Sequence, residues 1–270
     1  MAITQGEALR IYAIDSRKLE RTRQRIFRDA HGAKATFARR IEAALSDLVT
    51  EDGAITSERL NLDRLDDMLP ELRTELNRII GQDYREELEA SVRNRFGQYD
   101  TFARKLGLPE FGEGAERFDD VQNRLRTIAE ATDAGTERAM QRIRDTLAGA
   151  RYSAANSQGP SFAALKATLI SEGGVAPAYA GQVGNTMLFS IDRFLTKEQT
   201  KRAGLRKQRY TGPVDSLTRD FCLRWVGEVR EVQFWESLEN DTGPQPVSDF
   251  GGGWGPCRHR LLAWSDDWEL

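Results

Sequence analysis

The sequence predicts a mainly α protein, with an elongated N-terminal helical region over residues 1–205 and a small C-terminal α+β module over residues 206–270. Three observations predict it. Apolar residues before Gly204 recur three or four apart, the spacing that places them on one face of a helix. All five tryptophans, both cysteines and four of the eight prolines lie beyond Gly204, and a shift this sharp marks a second module. Of the 270 residues, 39% are hydrophobic and 30% charged. Long helices with narrow apolar stripes account for so polar a chain, because an elongated body exposes more surface per residue than a sphere.

From Glu7 to about Leu48, the residues Ile26, Ala30, Ala33, Phe37, Ile41, Leu45 and Leu48 share a face, while Arg and Lys fill intervening positions of Ser16 to Arg28. Unbroken, about 40 residues at ~1.5 Å each would reach roughly 60 Å, with Gly32 as a place to bend. Glu51-Asp52-Gly53 breaks the pattern, and Thr56-Ser57 offers the next cap. A second stripe holds Leu62, Leu65, Leu69, Leu72, Leu76, Ile79, Ile80 and Leu88; Pro70 inside it requires a kink or a helix start. Residues 107–114 form a turn by composition. Phe118, Val121, Leu125 and Ile128 make the next face, and Met140, Ile143 and Leu147 continue one after Gly135. Residues 156–160 are a connector. Ser161 caps a short helix that Gly173-Gly174 ends, and a last long helix runs from Pro177 to Lys201 or beyond. No repeat of fixed period emerges, and each stripe reads as a packing face and not a cofactor site.

In the C-terminal module, Gln208 to Gly212 reads as a short strand, and Asp215 to Trp225 and Val229 to Leu238 as helices. Asp241 to Pro256 is turn-rich, and Arg258 to Trp264 is a closing strand. So small a module needs aromatics, a staple or docking onto the helices to bury a core. The stripes Ile26-Phe37-Leu48 and Leu62-Leu76-Leu88 are long for one bundle, so neighbouring copies are expected to cover part of them.

Several function classes are disfavoured. The net charge of −3 is unlike that of a dedicated nucleic-acid binder. The local run Lys201, Arg202, Arg206, Lys207 and Arg209 reads as a solvated helix end, which the helix dipole favours. Met1 to Gly6 leads straight into a charged amphipathic pattern without an apolar leader core, and no apolar run approaches the ~18 residues of a membrane span. The expectation is a product kept in the cytoplasm, or built into something assembled there, with no membrane. Two cysteines exclude a disulfide-dense secreted scaffold. There is no His-Glu-x-x-His run, no phosphate loop ending in Lys-Ser/Thr and no nucleophile elbow. The carboxylates of the helical region alternate with Arg and Lys as a solvated face. No catalytic site is therefore expected. The competing enzyme reading is a cysteine-dependent hydrolase or transferase using Cys222 and His259, with Asp215 as orienter.

Information concentrates in the run from Tyr210 through Gly212, Asp215, Thr218 and Arg219 to Cys222, then Gly227, then Gly243 to Pro246, and finally Gly251-Gly252-Gly253-Trp254 leading to Cys257-Arg258-His259. Asp215 and Thr218 frame a helix start, Cys222 lies on that helix, and a glycine-rich loop returns the chain toward it. Cys257 and His259, two apart, face one side of an extended segment.

This order resembles the C-terminal motif of the phage head-morphogenesis, or minor head protein, family of the Mu-F-like type. There an Asp-x-x-Thr-Arg-x-x-Cys segment is followed by a loop ending in Cys-Arg-His or Cys-Arg-Cys. The resemblance covers Tyr210 to Trp264, a quarter of the chain. Where the family carries an Arg-Thr-Glu-like element, this chain has Gly184-Asn185-Thr186, a departure. The resemblance implies a low-copy structural component of a virion, assembled in the host cytoplasm near the portal vertex and acting in head assembly or DNA packaging and delivery. Its implied partners are the portal protein, the major capsid protein and further copies of itself, with contact to packaged DNA. An internal DNA-contacting or ejected virion protein is the alternative. The implied motif residues are Asp215, Thr218, Arg219, Cys222, Gly227, Gly252, Gly253, Cys257, Arg258 and His259.

Versions of the motif with extra Cys or His suggest a metal knuckle. Here only Cys222, Cys257 and His259 are on offer, with Asp215 as a fourth ligand, whereas structural zinc takes four. A disulfide between Cys222 and Cys257, or a packed hydrogen-bonded Cys/Arg/His cluster without cofactor, are the other readings. Arg219 and Arg258 are expected to anchor the motif internally, donating to loop carbonyls and to Asp215.

Overall fold

The computed structural model describes residues 3–112, 119–156, 159–241, 243–247 and 257–268. It is 73% helical with a few short strands in small sheets, the mainly α fold with a small α+β part that the spacing predicts. Its contacts divide the chain into two compact units that are not linear in sequence. One comprises Met1–Ile26, Glu89–Arg126 and Gly184–Leu270; the other comprises Phe27–Leu88 and Thr127–Val183. Composition changes near residue 205, but the strands beyond it belong to a unit that also holds three helical stretches. Among the described residues, no helix is long and apolar enough to cross a membrane.

Helix α1 (Gln5–Leu45) runs through Gly32 without interruption. All seven residues of the predicted stripe, Leu48 beyond the helix end included, are buried, as are Leu65, Leu72, Leu76, Ile79, Ile80 and Leu88 of the second. The chain itself buries most of both stripes, while Leu62 and Leu69 stay half-buried.

In the unit formed by Phe27–Leu88 and Thr127–Val183, the break after α1 is a hairpin of β1 (Thr50–Glu51) and β2 (Ala54–Ile55). Asp52 and Gly53 both take positive φ, 50° and 78°, the combination that a two-residue turn requires and that Asp-Gly tolerates. Helix α2 (Arg59–Leu76) follows with Pro70 inside it and Glu58 at an N-cap without a side-chain bond. Thr56-Ser57 is thus not the cap; Asn61 instead donates to the Thr56 carbonyl and hydroxyl and to the Val49 carbonyl. A π-helical stretch (Asn77–Tyr84) buries Ile79, Ile80 and Tyr84 and leads into α3 (Arg85–Lys105). The wider turn resets the helix phase so that these residues stay on the core side. After α4 (Asp119–Ala155), Ser161 caps α5 (Phe162–Gly173) by accepting from the Ala164 N–H at 3.4 Å, and α6 (Val175–Arg202) follows.

In the other unit, β3 (Lys207–Thr211) is the centre of a three-stranded antiparallel sheet of order β4-β3-β7, with β4 at Val229–Glu231 and β7 at Arg260–Trp264. Between them lie α7 (Asp220–Trp225), α8 (Val232–Ser237) and the pair β5 (Glu239–Asn240) with β6 (Gly243–Pro246). Two expected helices are therefore shorter. Asp215 to Thr218 close a turn of their own, so α7 starts only at Asp220. Gly227, at φ 92°, reverses the chain and lets Val229 to Glu231 pair with β3 instead of opening a helix.

Strand β7 is buried along its whole length, and its two faces serve two cores. Leu261 joins Tyr210, Phe221, Cys222, Trp235, Val247 and Cys257. Leu262 and Trp264 join Tyr12, Val92, Phe96, Tyr99, Phe102, Ile191 and Leu195 from the helices. Side chains alternate along a strand, so Arg260 shares the helical face of Leu262 and Trp264.

Candidate functional site

The motif is assembled around Tyr210. Its place in β3 opposite Leu261 aims the ring at the aromatic core, where it lies between Trp235, at 5.6 Å between centroids, and His259, at 5.5 Å and nearly parallel. The Tyr210 hydroxyl donates to Cys222 Sγ at 3.4 Å. Trp235 is fixed by its indole N–H, which donates to the Gln208 carbonyl at 3.0 Å. Gly212 must be glycine for a different reason from Gly227: a Cβ there would stand 2.3 Å from His259 Cδ2. The bare backbone is what admits the imidazole.

Cys222 on α7 and Cys257 in the extended approach to β7 bring their sulfurs to 4.0 Å. They are free thiols, joined by no bond, though their separation leaves only a ~2 Å approach to a disulfide. Cys222, Cys257 and His259 are 1%, 7% and 3% exposed, and one ligand atom from each lies within 4.8 Å of the others. The hydrogen bond between the sulfurs pushes the Cys222 thiol up, with burial acting the same way. The same bond holds Cys257 down against its burial, helped by His259 and by the charge of Arg193. Arg193 donates to the carbonyls of Cys257 (3.3 Å) and His259 (3.2 and 2.8 Å), fixing the backbone that carries both side chains. Among the described residues, Nε2 of His259 has no hydrogen-bond partner although it is buried.

Asp215 is not in this group. It stands on the exposed turn, where Arg258 donates to both of its oxygens at 2.6 and 2.7 Å. Those bonds, with the Leu217 N–H and the Thr218 hydroxyl, hold its carboxyl well below the usual carboxylate range. Asp215 is thus neither the expected fourth ligand nor an orienter of His259. Arg258 is the anchor expected of it, through Asp215. Thr218 bridges the turn by accepting from the Asp215 N–H and donating to the Pro213 carbonyl. Arg219 is the half-buried N-cap of α7. Gly252 and Gly253 lie outside the described residues.

No family model, curated protein or solved structure matches this chain. What the arrangement can do chemically is read from geometry alone. A nucleophilic cysteine needs a path for its substrate, and both sulfurs sit within the aromatic core. Soft thiolates and an imidazole held together suit a metal ion or a redox bond instead.

Sequence reasoning named Tyr210 and Gly212 in the motif without giving them a role, and missed Arg193 and a second constellation entirely. Asp15 on α1, Arg95 on α3, Asp192 on α6 and Arg260 on β7 form a closed ring of alternating charge, each at most 2% exposed. Arg95 donates to both oxygens of Asp15 at 2.7 Å and to Asp192 Oδ1 at 3.0 and 2.6 Å. Arg260 donates to Asp15 Oδ2 at 2.7 Å and pairs with Asp192 Oδ2 at 2.8 Å. The four charges sum to zero, which is what permits their burial. The signal was present: Asp15 occupies a place in the stripe Ala8, Tyr12, Leu19, and Arg95 lies among Val92, Phe96 and Tyr99.

Proposed function

We propose that this chain is a structural minor head protein of a tailed bacteriophage, associated with the portal vertex and acting in head assembly or DNA packaging and delivery. The observation that carries the reading is the manner in which the motif folds. Residues separated by 43 positions, Asp215 and Arg258, close on each other, while Cys222, Cys257 and His259 turn inward. A motif spent on its own packing supports a part that determines fold and assembly. The turn that Arg258 pins carries Val214 and Leu217, 64% and 80% exposed. In this reading they meet a neighbouring virion chain, the portal or the major capsid protein. Contact with packaged DNA and self-association belong to the same proposal.

The test is quantitative mass spectrometry of purified particles against the major capsid protein, followed by a map of the portal vertex. A fixed low copy number is expected. Absence of the chain from purified particles would overturn the proposal.

A further inference from the structure

We propose that Cys222, Cys257 and His259 form a zinc site that staples α7 to the extended segment entering β7. Two sulfurs bound tetrahedrally at ~2.3 Å stand about 3.8 Å apart, and these stand 4.0 Å apart before any ion is present. One imidazole nitrogen lies within 4.8 Å of both. Nothing large need move to close three coordination bonds.

The surroundings fit the same ion. Two thiolates and a divalent cation sum to zero charge, which a buried site requires. Thiolate and imidazole together select zinc over calcium or magnesium, which take oxygen ligands. Arg193, by holding the carbonyls of Cys257 and His259, fixes the direction of both ligands before binding, the supporting role that outer groups play around metals. Gly212 and Tyr210 confine the imidazole ring. Among the described residues the chain supplies three ligands, and a solvent oxygen would complete the tetrahedron. Binding releases thiol protons to solvent, since zinc takes both sulfurs as thiolates. The step is a ligand exchange without oxidation.

The inference goes beyond the virion reading and is tested separately from it. The full chain, purified without chelator under reducing conditions, is assayed for metal by elemental mass spectrometry, then stripped and reloaded with cobalt. About one zinc per chain is expected, together with sulfur-to-cobalt charge-transfer absorption from the unaltered protein, a readout that needs no variant. Cys222→Ser and His259→Ala should each lower zinc content and weaken its retention against a chelator. A folded chain that takes up neither ion and keeps two titratable thiols would overturn the proposal, as would a Cys222–Cys257 disulfide in the purified protein.

Discussion

Arg95 Nη1 and Nη2 each donate to one carboxylate oxygen of Asp15, both at 2.7 Å across 80 residues of sequence. Neither side chain touches solvent to any extent. The pair is half of a ring that Asp192 and Arg260 complete, so each charge is compensated by two others.

Removing one member should therefore cost more than the ring as a whole contributes. Arg95→Met leaves Asp15 and Asp192 facing only Arg260, and the loss should be about 3–5 kcal/mol, the cost of stranding a buried charge. Urea unfolding of the variant beside the unaltered chain checks it. A loss under about 1 kcal/mol would mean that the ring is hydrated in solution.

Acid should reveal the same ring. Burial by itself raises the Asp15 carboxyl, but the charges of Arg95 and Arg260 outweigh it and hold the group well below its ordinary value. A depressed carboxylate stabilises the fold fully above its unfolded value of ~3.9, and that contribution is lost as pH falls through the folded value. Tm should thus hold to about pH 5 and decline below it. Asp15→Asn should lower Tm at neutral pH and flatten the acid limb. Parallel acid limbs in the two proteins would place the acid sensitivity elsewhere.

Gly212→Ala should destabilise by about 1–3 kcal/mol, the range for overpacking, because the new methyl meets His259 at 2.3 Å. The sulfurs behind the ring should become more reactive toward a thiol reagent. Unchanged Tm and thiol reactivity would show that the imidazole has room to retreat.

The Asp215–Arg258 pair is bidentate but stands at the surface, with the Asp215 side chain 41% exposed. Arg258→Lys should lower Tm, since Lys cannot reproduce the planar fork, yet by less than Arg95→Met. A double-mutant cycle with Asp215→Asn isolates the coupling. An Arg258→Lys chain of unchanged Tm that has lost nucleic-acid affinity would instead make Arg258 a DNA contact.

Much of the fold was legible because helix periodicity is a local signal. Ile26 to Leu48 fell on one buried face as spaced, and Ser161 capped its helix. The hairpin at Asp52-Gly53 and the strand at Val229 were not seen, because two- and three-residue strands carry too little alternation to read. The cysteines and His259 were legible as a group through their concentration in one module. Their partners were not. Arg193 and Gly212 act through tertiary approach, which no spacing records, and the charge ring joins residues 15, 95, 192 and 260, each unremarkable in its own window.

The two-faced burial of β7 has a consequence for the order in which the chain acquires its structure. Arg260 reaches Asp15 across 245 positions, so the acid of the first helix has no partner until Arg95 is made and lacks its second until β7 follows. Contacts of such sequence separation form late, since the closure entropy of the intervening chain precedes their reward. The unit that holds β7 should therefore lock only once that strand has been made, when it docks and completes an aromatic core on one side and a charge ring on the other.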